Sequence, residues 1–73
     1  RYAMAADGYK KAVGAMDGSD KGIYKSWAFY RMARSYSILK NDSGKAESLK
    51  ELTGLDNEFG GMAAPVLKEA RGL

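Results

Sequence analysis

Cysteine and histidine are both missing from this chain of 73 residues. Without cysteine no disulfide can staple so small a domain, and a single core must offset the chain entropy alone. The two absences together remove the commonest zinc and iron ligand sets and every catalytic arrangement built on Cys or His. Proline occurs once, at Pro65. No apolar run approaches the ~20 residues that a membrane span needs, so no transmembrane segment is expected. There is no signal-peptide pattern, and the sequence opens at Arg1 without an initiator methionine. It reads as a piece of something longer, carrying one domain over 1–73. Nothing in it calls for a cofactor or a metal.

Charge is present but uneven. The net charge is +3, and the excess lies in residues 21–42, where Lys21, Lys25, Arg31, Arg34 and Lys40 face only Asp42, a net of +4. At 100° per residue these groups point several ways. Nucleic-acid binding asks for a continuous basic track, so no nucleic acid is expected as a partner.

The stretch from Trp27 to Leu39 organises the rest. On a helical wheel Ala28, Phe29, Met32, Ala33, Tyr36 and Leu39 share a core arc, while Trp27, Arg31, Arg34 and Ile38 share a second arc roughly opposite. Before it, Tyr2, Ala5, Ala6, Tyr9, Ala12, Val13 and Met16 recur at helical spacing, which predicts a first helix over 1–16. Gly8 and Gly14 weaken it by roughly 1 kcal/mol each relative to Ala. Asp17 to Gly22 is the clearest break, with Ser19 or Asp20 able to cap the next helix. That Asp-rich run lacks the ligand alternation and closing Glu of a calcium loop.

A second helix is expected over about 23–39 and a third over about 44–53. Asp42 or Ser43 would cap the third, and Gly54 would end it in a left-handed turn. Phe59, Met62, Ala63, Val66, Leu67 and Ala70 then repeat at i, i+3, i+4, i+7, i+8 and i+11. Their period passes through Pro65 unbroken, which predicts one kinked helix starting at Asp56 or Asn57 and ending at Gly72. The other arrangement is a loose turn and then a shorter helix with Pro65 in its favoured first position. The expected fold is all-α, four helices as antiparallel helix-turn-helix pairs.

Shifting the chain by 34 residues lays Ala28, Phe29, Met32, Ala33 and Tyr36 over Met62, Ala63, Val66, Leu67 and Ala70, all apolar in both copies, and Ala12 over Ala46. Thirty-four is the period of tetratricopeptide repeats. Phe29, the pair Met32-Ala33, the aromatic Tyr36 and, after a turn, Ala46 together resemble the packing signature of that family. The turn is one residue longer than usual. Leu49 and Leu52 fill the later apolar slots approximately, and Asp56-Asn57 stands where the family closes with proline. The phrase Tyr30 to Tyr36 is similar to degenerate repeats of bacterial cell-envelope proteins, which would place the chain in the periplasm or envelope, with the cytoplasm as the alternative.

The resemblance implies a fragment of a right-handed superhelix, with the second and fourth helices on the inside and the first and third outside. It also implies the C-terminal part of a longer array, or a core completed by self-association. The ligand groove positions it implies are Trp27, Tyr30, Arg34, Ser37 and Ile38, and the wheel adds Arg31 to that surface. Trp, Tyr and Arg are the types enriched at binding hot spots, and Arg34 could grip a carboxylate. The bland alternative is that Trp27 and Ile38 pack on a neighbouring helix while the arginines face water.

Carboxylate pairs occur at Glu47/Glu51, on a solvated face, and at Asp56/Glu58, in an expected turn. Without histidine or a pocket they carry no acid–base chemistry, so no enzyme is expected. The expected function is a protein–protein interaction module binding a protein or peptide segment. The alternatives are a structural capping or oligomerisation segment and, behind it, a nucleic-acid or anionic-surface binder.

Overall fold

A computed structural model describes residues 1–15 and 23–73. It contains four helices: α1 (Tyr2–Ala15), α2 (Ile23–Ile38), α3 (Asp42–Glu58) and α4 (Ala64–Arg71). The fold is all-α, as the periodicity predicts. Met16, the Asp17–Gly22 break and the caps expected at Ser19 or Asp20 lie outside the described residues.

α2 is the hub. It packs against each of the other three helices, while α1 packs along α2 alone and α4 sits against both α2 and α3. The described body measures 31 × 25 × 15 Å.

The core joins Phe29 and Met32 of α2 to Leu52 and Leu55 of α3 and to Val66, Leu67 and Ala70 of α4. Small residues let the backbones approach: Ala6, Ala28, Ala33, Ser35 and Ser48 are all buried. Ser26 and Ser48 satisfy their hydroxyls locally by donating to the carbonyls of Ile23 and Gly44, both at 3.0 Å. α1 contributes one fully buried side chain, Ala6, with Tyr9 and Val13 half-buried beside the core. Tyr2 and Ala12, expected on its core stripe, are exposed.

The turn between α2 and α3 is tight because two end motifs share it. Lys40 takes a left-handed conformation at φ +57°. The Lys40 amide donates to Ser37 and the Asn41 amide to Tyr36, the two bonds of a Schellman motif. Asn41 then caps α3: its side-chain oxygen accepts from the Gly44 amide at 3.0 Å and from the Ser43 hydroxyl at 3.1 Å. The cap is therefore Asn41, one residue before Asp42 and two before Ser43, the expected caps. A cap accepts from the third helical amide, and Asn41 stands at that distance from Gly44.

Two helix boundaries differ from expectation. α3 runs through Gly54 to Glu58, so Gly54 is an interior residue and Leu55 is core. The stop falls at Gly60 (φ +66°) and Gly61 (φ +89°), where the Gly61 amide reaches back to the Asp56 carbonyl at 2.8 Å. The kinked fourth helix is not formed. α4 starts at Ala64 with Pro65 in its first turn, where a proline costs no hydrogen bond. Phe59 becomes the residue that closes α3, and Asp56/Glu58 lie on a helix rather than in a turn. The apolar period crosses the gap because the turn brings Ala63 back onto the core, 4% exposed.

Candidate partner-binding face on the central helix

Going round α2 at 100° per residue, the buried positions Ser26, Ala28, Phe29, Met32, Ala33 and Ser35 occupy the sides toward α1, α3 and α4. What remains is an arc of about 100° carrying Ile23, Arg34, Trp27, Ile38, Arg31 and Tyr24. Each of these six is exposed. Trp27 and Ile38 show 44% and 45% of their surface to solvent, a large apolar exposure for so small a body.

The six site residues expected from sequence divide into two groups. Trp27, Arg31, Arg34 and Ile38 stand together on the open arc. Tyr30 and Ser37 turn away from it: Tyr30 packs against the core, and the Ser37 hydroxyl donates to the carbonyl of Leu73, just past α4, at 3.2 Å. They support the face rather than belong to it. Leu39, expected in the core, is 43% exposed because α2 ends at Ile38 and the left-handed turn swings it out. Ala46, the expected buried alanine of the paired helix, is exposed. On α3 the buried positions are instead Ser48, Leu52 and Leu55, with Gly44 against the Tyr36 ring of α2.

The aromatic groups hold one another. The Trp27 and Tyr30 rings meet edge to face, with centroids 5.6 Å apart and planes at 86°, the arrangement favoured by ring quadrupoles. The Arg31 guanidinium carbon lies 5.9 Å from the Tyr9 ring centroid, a cation–π contact that ties α2 to α1. Two shallow hollows flank this contact. One is lined by Tyr9, Ala12, Tyr24, Trp27, Ala28 and Arg31, the other by Tyr2, Ala5, Tyr9, Arg31, Arg34, Ser35 and Ile38. Neither is lined by an acidic side chain, so the face is basic and aromatic. Sequence reasoning missed Tyr24 and Ile23, which fall on the same arc by spacing. It also missed Tyr2 and Tyr9, which α1 adds only through packing.

On the far side of α2, α1 and α3 diverge over a cleft of about 240 Å³ floored by Phe29, Met32 and Tyr36. Its walls carry Lys10, Val13 and Gly14 of α1 and Gly44, Glu47, Ser48 and Glu51 of α3. Among the described residues no group of three acidic side chains is placed to hold a metal ion, and no helix is long and apolar enough to cross a membrane.

Compared with family models, curated proteins and solved structures, the chain has no significant match.

Proposed function

We propose that the chain is a protein–protein interaction module of a tetratricopeptide-like helical scaffold, binding a partner segment on the exposed face of α2. The observation that carries this reading is the contiguous exposure of Trp27, Arg34 and Ile38 on a helix buried on its other sides. Tryptophan and arginine dominate binding hot spots, and a ring already braced by Tyr30 loses little freedom when it is covered. The 34-residue register supports the repeat reading. Phe29 and Ala63, Met32 and Val66, and Ala33 and Leu67 are buried in both copies, though Met62 is exposed where Ala28 is not.

The test is the double substitution Trp27→Ala/Arg34→Ala. Peptides selected on the immobilised chain from a random library should lose binding to the variant while its thermal unfolding stays unchanged. Collapse of the fold would instead assign both side chains to packing.

One observation favours a second reading, a structural end segment. The outward face of α4 carries Lys68, Glu69 and Arg71, all exposed, as the polar cap of a helical array would. Under that reading the open arc of α2 is where a preceding helix packs.

A further inference from the structure

We propose that the partner of the α2 face is a second copy of this chain, docked head to tail with the exposed ridge of one copy in the α1/α3 cleft of the next. This rests on reading the α2 face as a binding surface, and it names the occupant.

The two surfaces lie on opposite sides of one helix. The ridge carries Trp27, Arg31, Arg34 and Ile38; the cleft floor is Phe29, Met32 and Tyr36, roughly half a turn away on the wheel. Their chemistry is complementary. The ridge is apolar with two arginines, and neither of its hollows is lined by a carboxylate. The cleft is floored by aromatic and thioether groups and rimmed on α3 by Glu47 and Glu51, opposed by Lys10 on α1. No ion pair within 4 Å joins Lys10 to Glu47 or Glu51. The two glutamates are therefore available to a partner's cations.

Geometry fits as well. A cleft of about 240 Å³ admits one or two large side chains rather than a helix. Trp27 projects from α2 with its ring held by Tyr30, so it enters as a single knob. Arg31 and Arg34 come one and two turns further along, ~6 and ~10 Å away, within reach of two glutamates spaced one turn apart. The same charges decide against a two-fold pairing of ridge on ridge, which would set the arginines of the two copies against each other. A ridge-to-cleft contact is heterologous, so a dimer keeps one free ridge and one free cleft, and assembly continues beyond the dimer until a ring closes.

The experiment is sedimentation velocity of the full chain across a wide concentration range, at low and high salt. Circular dichroism of each variant checks that it folds. Wild type is expected to grow past the dimer with concentration and to dissociate as salt screens the charges. Arg31→Glu/Arg34→Glu and, separately, Glu47→Lys/Glu51→Lys should each weaken association by about tenfold or more. The chain carrying all four reversals should regain it, since the charges are then exchanged rather than removed. A wild type that stays monomeric, a closed dimer indifferent to Glu47→Lys/Glu51→Lys, or a quadruple variant no better than its parents would overturn the proposal. Peptide binding that depends on Trp27 in a monomeric chain would do so too, while leaving the binding role of the α2 face intact.

Discussion

Gly44 lies directly against the ring of Tyr36. A Cβ built on Gly44 would come within 2.8 Å of the ring carbons Cγ and Cδ1, closer than real side chains approach. The contact joins the last turn of α2 to the first turn of α3, and it is a consequence of the short turn between them. Asn41 caps α3 through the Gly44 amide, so the first helical turn is pinned where the Tyr36 ring already stands.

Gly44→Ala is therefore expected to destabilise the fold by about 1–3 kcal/mol, the range for overpacking, although alanine is the better helix former. Chemical denaturation would measure the loss. In a Tyr36→Leu background, which removes the rigid ring, the same substitution should cost less. Equal costs in both backgrounds would show that the ring contact is not the cause.

Three left-handed or helix-interior positions should respond in opposite senses. Gly54 is inside α3 with nothing within 4 Å of an added Cβ, so Gly54→Ala should raise stability by about 0.5–1 kcal/mol. Gly60 has φ +66°, where a side chain meets the following carbonyl, and Gly60→Ala should lower stability by about 1 kcal/mol. Lys40 has φ +57° with a side chain already present, so Lys40→Gly should stabilise by a similar amount. Thermal melts of the three variants give the signs directly. A destabilised Gly54→Ala would contradict the placement of α3's end at Glu58.

α1 should be the first part of the structure to open. It packs on α2 alone, buries only Ala6 fully and contains Gly8 and Gly14, where an added Cβ would meet nothing within 4 Å. Hydrogen exchange should show its amides protected less than those around Leu52, which is 0% exposed. Leu52→Ala should cost about 2–5 kcal/mol, and Val13→Ala, at a half-buried site, clearly less. Uniform protection across α1 and α3 would refute this ordering.

The all-α class, the number of helices and most of the core were legible from spacing. Phe29, Met32, Leu52, Val66, Leu67 and Ala70 recur at helical intervals, and burial follows from that alone. The open arc of α2 was legible for the same reason, since Trp27, Arg31, Arg34 and Ile38 fall opposite the core positions whatever packs there.

Spacing could not decide where helices stop and which half-buried side chains face a neighbour. Gly54 and Gly60 are chemically identical stop signals. Only the packing of Leu55 on the core keeps α3 helical through the first and lets it end at the second. Pro65 could kink a helix or begin one, and the left-handed pair Gly60-Gly61 settles it by turning the chain before the proline is reached. Tyr30 and Ser37 flank the open arc on the wheel, but packing against the core takes Tyr30 out of it and the bond to the Leu73 carbonyl takes Ser37. Tyr2 and Tyr9 join that face through the side on which α1 docks. The sequence determined the faces of each helix because side-chain spacing is a local property. Their neighbours were settled by tertiary structure, because a neighbour depends on turn geometry and on how closely small residues let two backbones approach.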